Sequence, residues 1–189
     1  MKRSQVNHAY QKAKAYFEDN CWAIRPDFKW DITDFGLADF NEYGLTLINL
    51  AEEKEYCEKL MYAAKNQKTP AHYHKQKKED IVCRKGVLAI RFWKEGEGLS
   101  TEGELEVKLN GSLQSIPSGS VVKLQAGERV TIVPFQWHEF WSETDDCIIG
   151  EVSTANDDLN DNFFFNPDIG RFASMDEDEA PLVKLVSDK

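Results

Sequence analysis

Two histidines one residue apart, followed by a glutamate and later by a third histidine, form the pattern with the clearest chemistry in this sequence. His72 and His74 lie in a strand-like segment, Glu79 follows a short polar connector, and His138 comes much later in another strand-like segment. Residues two apart on a β-strand point to the same face, so both imidazoles of the pair can bind one ion. Three imidazoles and one carboxylate suit a divalent transition metal and leave two positions of an octahedral ion open.

The histidine pair has a second interpretation. Taken alone, His72 and His74 are equally typical of a polar strand face that binds nothing. The order of all four residues, His-x-His, then Glu after a short loop, then a distant His, favours the metal site. The fourth histidine, His8, falls in a predicted amphipathic helix, and there we expect a structural or solvent-facing side chain.

Composition restricts the class of protein. The chain has 189 residues, 23 Lys+Arg against 33 Asp+Glu, and 41% hydrophobic residues, which is enough apolar content for the core of one domain. A net charge of -10 disfavours nucleic acids and anionic membranes as partners, because attraction to phosphate requires clustered basic residues. Without an apolar leader segment or a run of about 18 apolar residues, we expect a soluble, cytoplasmic protein whose partners are small molecules or proteins.

The four cysteines are scattered and form no Cys-x-x-Cys pair, so they match neither a zinc ribbon nor a redox motif. We expect four reduced thiols that pack as small hydrophobic side chains. They are Cys21, Cys57, Cys83 and Cys147.

Hydrophobic periodicity predicts one helix and then many strands. Residues 4–19 carry apolar side chains at spacings of three and four, with Ser4 as an available N-cap, and residues 20–40 form an irregular aromatic segment that wraps the domain. Short strands with Gly-rich or acidic turns follow and predict an antiparallel sandwich or barrel. The predicted strands are 44–51, 56–64, 71–75, 79–84, 87–93, 103–109, 119–124, 129–134, 138–142 and 147–153.

The chain is thereby predicted to divide into three parts: residues 1–40 packed on a barrel, the barrel itself at 41–172, and an acidic tail at 173–189. Residues 163–172 contain three consecutive phenylalanines, and so apolar a segment is expected to pack back onto the barrel. The run from Asp176 to Glu179 is expected to be solvated and mobile, because like charges repel one another.

The metal-site pattern resembles the cupin superfamily. Its first motif, G(x)5HxH(x)3-4E(x)6G, is matched by His72, His74, Glu79 and Gly86, with Asn66 in place of the leading glycine. The second motif, G(x)5PxG(x)2H(x)3N, is matched only at the proline and the histidine, which are one residue closer together than in the motif; the residues concerned are Pro134 and His138, with Glu128, Gln136 and Ser142 at the departures. The resemblance implies an all-β fold, a cupin-type antiparallel β-barrel (jelly roll) with an N-terminal helix, in which His72, His74, Glu79 and His138 are the metal ligands.

Within that superfamily, residues 40 to 172 are similar to the D-lyxose isomerase family of sugar ketol-isomerases. The similarity lies in the blocks 69–74, 137–140, 151–153, 161–163 and 166–172. It implies a metal-dependent aldose–ketose isomerase that interconverts D-lyxose and D-xylulose, with D-mannose and D-fructose as secondary substrates. It also implies an enediol mechanism, Mn²⁺ in preference to Zn²⁺, Fe²⁺ or Co²⁺, and a homodimer.

Such a reaction requires a carboxylate or histidine base near the metal. Glu151 is our candidate base, because it is a lone acid in an otherwise apolar strand; the alternative is a solvent-facing residue on that strand. Lys77, two residues before Glu79, is a candidate catalytic and substrate-binding cation, or else part of a solvated basic loop.

Further substrate contacts are predicted from the same resemblance. Asp168 and Arg171 are candidates for hydrogen bonds to sugar hydroxyls, and a structural salt bridge is the alternative. Trp137 and Trp141 are candidates for the pocket wall. For both residues the alternative is burial in the core.

Three other functions stay open at this point. A cupin phosphosugar isomerase would require clustered cations for the phosphate. An iron(II) dioxygenase would use a facial site with fewer protein ligands. A non-catalytic sugar-binding cupin would bind its ligand without turnover.

Overall fold

The computed structural model describes residues 1–96, 98–154, 156–170 and 175–188. These residues form one α-helix and thirteen β-strands, and within them no helix is long and apolar enough to cross a membrane. The elements are α1 (Arg3–Asp19), β1 (Lys29–Thr33), β2 (Leu45–Glu52), β3 (Tyr56–Ala64), β4 (Lys68–Tyr73), β5 (Glu79–Lys85), β6 (Val87–Trp93), β7 (Glu104–Leu109), β8 (Ser112–Pro117), β9 (Val121–Gln125), β10 (Arg129–Ile132), β11 (Trp137–Ser142), β12 (Asp146–Thr154) and β13 (Phe163–Phe164).

The strands form two antiparallel sheets that face one another. The larger sheet has the order β1-β2-β3-β12-β5-β10-β7-β8, and the smaller has the order β13-β4-β11-β6-β9. Neighbours in the sheets that are distant in sequence, such as β3 and β12, show that the chain repeatedly crosses from one sheet to the other. This arrangement confirms the predicted all-β antiparallel barrel with an N-terminal helix.

Part of the larger sheet is buried on both faces, and the alternation along β12 shows how. Cys147 and Ile149 belong to the core between the two sheets, whereas Ile148 belongs to a second apolar cluster beneath α1. Because successive side chains on a strand point to opposite faces, Glu151 continues the inward row of Cys147 and Ile149. A carboxylate is thus placed at the end of an apolar row inside the barrel.

Helix α1 closes the outer face of the larger sheet. It occupies Arg3–Asp19, close to the predicted 4–19, and its residues Val6, Ala13 and Phe17 are fully buried in the cluster that contains Trp30. Burial of each large apolar side chain stabilises the fold by about 1.5–3 kcal/mol. His8 is exposed, in agreement with its predicted structural or solvent-facing position.

The acidic C-terminal run differs from the prediction of a solvated, mobile tail. The guanidinium of Arg3 is buried between Glu177 and Asp188, with its closest contacts at 2.6 and 2.8 Å, and Asp178 accepts hydrogen bonds from the backbone and the hydroxyl of Ser4. The first N–H groups of a helix have no partner within the helix and carry partial positive charge, so nearby carboxylates stabilise them. The tail therefore caps α1, and Ser4 is the second helical residue and not the predicted N-cap.

Three strands were missed by the sequence pattern. β1 lies in the segment predicted to be irregular, and β8 carries mostly exposed residues, so neither shows the alternation of a half-buried strand. β13 consists of Phe163 and Phe164 paired with Tyr73 and His72 of β4, which confirms for the described residues that this segment packs back onto the barrel.

The four cysteines are free thiols, as predicted. Cys57, Cys83 and Cys147 are buried, whereas Cys21 is exposed in the turn that follows α1.

Replacement of Arg3 by alanine is expected to lower the free energy of unfolding by about 1–3 kcal/mol, because it removes two charge-assisted contacts that attach the tail to α1. Arg25→Ala is the matched control, since Arg25 also contacts a carboxylate but is exposed, and there we expect no measurable change. Urea unfolding followed by circular dichroism compares the two variants. Equal stability of both would contradict a structural role for the tail.

Candidate metal centre and active site

Antiparallel pairing of β4 with β11 brings the three distant histidines together. His138 lies directly opposite His72 in the strand register, and their ring centroids are 4.1 Å apart. His74 is 5.1 Å from His72 and 5.7 Å from His138 by the same measure. All three side chains are buried, and one nitrogen from each ring lies within 4.8 Å of the others.

Backbone carbonyls set the tautomer of each imidazole. The Nδ1 atoms of His72, His74 and His138 lie 2.7, 2.7 and 3.0 Å from the carbonyl oxygens of Pro70, Asp161 and Gln136. A carbonyl can only accept, so Nδ1 carries the proton and donates, and Nε2 keeps its lone pair for a metal. The Nε2 atoms of His74 and His138 are buried and have no hydrogen-bond partner in the part of the chain that the structure describes.

Burial also keeps the imidazole of His72 neutral. Loss of solvent lowers the pKa of His72 well below its usual value, and the neighbouring His138 and His74 lower it further. A neutral imidazole is the form that binds a metal ion.

Glu79 completes the donor set from the opposite sheet. Its Oε1 lies 3.5 Å from His74 Nε2 and 3.2 Å from His138 Nε2, while its Oε2 lies 2.8 Å from the ammonium of Lys77. Burial disfavours the carboxylate, but the neighbouring ammonium of Lys77 outweighs this effect and holds the pKa of Glu79 well below its usual value. Unpartnered imidazole nitrogens beside an ionised, buried carboxylate fit a divalent cation, which would satisfy all of them at once.

Lys77 is a buried residue and not part of a solvated loop. Its Nζ bridges Glu79 Oε2 at 2.8 Å and Glu151 Oε1 at 3.2 Å. Burial alone would lower the pKa of Lys77, yet the two carboxylates outweigh that effect and raise it, so the ammonium is retained. Glu151 is only 5% exposed, and the structure brings the predicted base into the same charged row as the predicted metal ligand.

Lys59 is a site residue that sequence reasoning missed. It lies on β3 opposite Glu151, and its Nζ is 3.7 Å from Glu151 Oε1, 3.3 Å from Asp158 and 2.9 Å from Asn156. A signal was available: Lys59 is two residues before Met61, which faces the barrel core, so strand alternation places a lysine on the inner face.

A small cavity of about 50 Å³ lies between the histidines and the charged row. It is lined by His72, His74, Lys77, Glu79, Glu151, Lys59, Asp158 and apolar residues that include Phe35 and Phe164. The ring of Phe164 lies 5.5 Å from His72 and 5.7 Å from Phe35. Ligand pockets usually occupy about 300–1,000 Å³, so this cavity is smaller than a typical ligand pocket.

A larger groove, of about 1100 Å³, lies elsewhere, among α1, β1 and the C-terminal residues. Its lining contains neither the histidine cluster nor Glu151. The donor atoms and the buried charges, not the volume of the groove, identify the smaller cavity as the candidate site.

Two predicted substrate contacts lie away from this cavity. Trp137 packs with Ala71 and Trp93 and donates a hydrogen bond to the carbonyl of Gly96, because neighbours on β11 alternate and His138 is the inward residue. Asp168 is exposed. The prediction that Trp137 forms the pocket wall is therefore corrected to a position outside the cavity, and Arg171 lies outside the described residues.

The departures from the cupin motif are compatible with the turns they occupy. Asn66, in place of the leading glycine, has φ 61°, and asparagine adopts this left-handed conformation more readily than most residues. Gly86, which matches the motif, has φ +88°, and a Cβ there would lie 2.5 Å from the hydroxyl of Thr144. A side chain is thus excluded at the tight turn between β5 and β6.

Comparison with known proteins places the chain in a family. Residues 24–189 match the D-lyxose isomerase family, a longer stretch than the predicted 40 to 172. The D-lyxose/D-mannose isomerase of Serratia proteamaculans is 39% identical over 165 residues, which cover 80% of this chain and 72% of that protein. The enzyme of the same name from Escherichia coli O157:H7 is 36% identical over 171 residues, which cover 84% of this chain and 75% of that protein.

A solved structure supports the fold independently. The crystal structure of Cellulomonas parahominis L-ribose isomerase with L-ribose aligns with a TM-score of 0.69, covering 93% of this chain and 98% of that chain at 16% sequence identity. At this identity the likeness concerns the fold alone. The family match over residues 24–189 and the two sequence relatives show that the chain belongs to the D-lyxose isomerase family.

Proposed function

We propose that this chain is a metal-dependent aldose–ketose isomerase that interconverts D-lyxose and D-xylulose, with D-mannose and D-fructose as a second pair. The observation that carries the proposal is the carboxylate of Glu151, which lines the same buried cavity as His72, His74 and Glu79 without belonging to the histidine cluster. A metal donor set and a separate acid–base group are the two parts that this isomerisation requires. Relatives named D-lyxose/D-mannose isomerase support the choice of sugars.

His72, His74, His138 and Glu79 would hold the ion. Mn²⁺ is our first choice, because imidazole and carboxylate ligands suit it and six-fold coordination leaves positions for sugar oxygens. When bound, the ion would polarise the sugar carbonyl and stabilise the negative charge that develops on the enediol.

Glu151 would move the proton between the two sugar carbons. In the direction from aldose to ketose it takes the proton from C2 and returns it to C1, so the C2–H bond breaks and a C1–H bond forms. The O2 hydroxyl loses its proton as C2 becomes the carbonyl carbon, and O1 gains a proton as it becomes a hydroxyl, so the two sugars have the same composition. Both lysine contacts fall on Oε1, so Oε2 is the atom that we assign to the proton. Lys77 would donate a hydrogen bond to a sugar oxygen from its position between Glu79 and Glu151.

The surrounding charges favour a neutral sugar over a phosphosugar. The two buried lysines of the cavity, Lys59 and Lys77, are already within ion-pair distance of carboxylates. A phosphate group would have to break these pairs and would meet the negative charge of Glu151 and Asp158.

The direct test uses protein stripped of metal and reloaded separately with Mn²⁺, Zn²⁺, Co²⁺ and, without oxygen, Fe²⁺. Each form is incubated with D-lyxose and D-mannose, and ketose is measured by chromatography. We expect D-xylulose from D-lyxose, with the highest rate for Mn²⁺.

Other outcomes would contradict the proposal and point to a different function. Ketose from phosphorylated sugars only would indicate a phosphosugar isomerase, and oxygen consumption in the Fe²⁺ form would indicate a dioxygenase. Sugar binding without any ketose would indicate a binding protein.

Replacement of Glu151 by glutamine is expected to lower kcat by about 10²–10⁴-fold, because it removes the acid–base group and keeps the side-chain volume. Metal content, measured by mass spectrometry, should stay equal to that of the wild type. Glu58→Gln is the matched control, since Glu58 precedes Lys59 on β3 and faces the opposite side of the sheet. Activity of the Glu151 variant equal to that of the control would exclude this base.

Replacement of His138 by alanine is expected to weaken Mn²⁺ binding by roughly 100-fold or more, since loss of a direct ligand should exceed the 10–100-fold effect typical of residues that support ligands. Titration against a fluorescent chelator measures the affinity. His8→Ala serves as the control, because His8 is exposed on α1. Wild-type affinity in the His138 variant would contradict the assigned donor set.

A further inference from the structure

A single aspartate holds the loop that connects two of the site's functional residues. Asp161 lies in a segment that runs across the candidate site, residues 156–164, which we term the strap. The aspartate is only 5% exposed. Its carboxylate points at the loop between β4 and β5, which contains His74 at one end and Lys77 near the other.

The carboxylate of Asp161 accepts hydrogen bonds from three successive backbone N–H groups. Oδ1 accepts from Lys75 and Gln76 at 2.8 and 3.1 Å, and Oδ2 accepts from Gln76 and Lys77 at 3.2 and 2.8 Å. Successive N–H groups that converge on one anion form a compact, charge-assisted arrangement. The carboxylate of Asp161 in the strap thus fixes the backbone conformation of the loop.

The backbone of Asp161 adds a contact to a metal ligand. Its carbonyl oxygen lies 2.7 Å from Nδ1 of His74, which fixes the tautomer and the ring orientation. One residue therefore contacts the chain at all four positions from His74 to Lys77.

The two ends of the loop have other contacts, because the carbonyl of His74 accepts a hydrogen bond from the backbone of Phe135 and Lys78 exchanges hydrogen bonds with Thr154. Between these ends, the ammonium of Lys75 lies over the ring of Phe163, and the backbone N–H groups bind Asp161. Lys75 and Gln76 are exposed, and β4 ends at Tyr73 while β5 begins at Glu79. Lys77 must nevertheless turn inward to reach Glu79 and Glu151. The three N–H contacts of Asp161 supply the constraint that this turn requires.

We propose that Asp161 is a positioning residue that aims Nε2 of His74 at the metal site and Nζ of Lys77 at the two glutamates. It acts through these residues and is not among the residues that line the cavity. The part of the proposal that concerns turnover rests on the proposed function. The part that concerns metal affinity and loop conformation does not.

The strap has anchors that do not involve Asp161. Phe163 and Phe164 pair with β4, and Lys59 contacts Asn156 and Asp158. A substitution at Asp161 should therefore disturb the loop while the strap stays in place.

The test compares D161N with D157N. Asparagine keeps the volume but presents an NH₂ group to N–H donors, so the loop loses part of its support. Asp157 is in the same strap, also accepts a hydrogen bond from a backbone N–H, and is exposed, which makes it the matched control.

For D161N we expect Mn²⁺ affinity and kcat each to fall by about 10–100-fold, with KM for D-lyxose nearly unchanged. D157N should resemble the wild type. A folded D161N with wild-type affinity and kcat would overturn the proposal.

Amide hydrogen exchange on the wild-type protein tests the same inference without a variant. The N–H groups of Gln76 and Lys77 should exchange slowly for an exposed loop, because Asp161 binds them. Fast exchange there would overturn the proposal even if D161N failed to fold. Should the wild type form no ketose while D161N still loses Mn²⁺ affinity and loop protection, the proposed function fails and the positioning role stands.

Discussion

The structure depends on a row of alternating charges enclosed in an apolar barrel. From Glu79 the row continues through Lys77, Glu151 and Lys59 to Asp158, with neighbouring nitrogen and oxygen atoms 2.8 to 3.7 Å apart. Removing a charged group from water is costly unless an opposite charge compensates it, and removal of one partner leaves the other buried and unpaired. Each member of the row thus restricts the identity and the position of its neighbours.

The two sheets contribute different chemistry to this enclosed space. The smaller sheet supplies the imidazoles of His72 and His138, and burial keeps His72 neutral. The larger sheet supplies Glu79, which its attraction to Lys77 of the adjoining loop keeps ionised. Because side chains on each strand alternate between faces, the inner surface can change from apolar to charged within two residues. Ile149 and Glu151 on β12 are such a pair, one in the core and the other in the cavity.

The elements outside the barrel serve to hold this arrangement. Helix α1 and the C-terminal tail cover part of the outer face of the larger sheet, where Leu60 and Tyr62 of β3 and Ile148 of β12 are buried. The strap covers the site from the other direction. It contacts Lys59 of the charged row through Asn156, and it contacts the β4–β5 loop through Asp161. A fold neighbour with only 16% sequence identity aligns with 93% of this chain, so the likeness between the two is one of fold.

The sequence by itself determined helix α1 and most of the strands, because these follow from short-range periodicity. It also determined the family, through the resemblance of several motif blocks, and the spacing of histidines and glutamate indicated the candidate donor set His72, His74, Glu79 and His138. Only the tertiary structure decided that Lys59 and Asp161 belong to the site, that Trp137 lies outside the cavity, and that the acidic tail caps α1. The physical reason is that the role of a charged or aromatic side chain depends on the residues that it contacts in the folded protein. These contacts join distant parts of the chain: Lys59 with Asp158, and Asp161 with Lys77, are 84 or more positions apart.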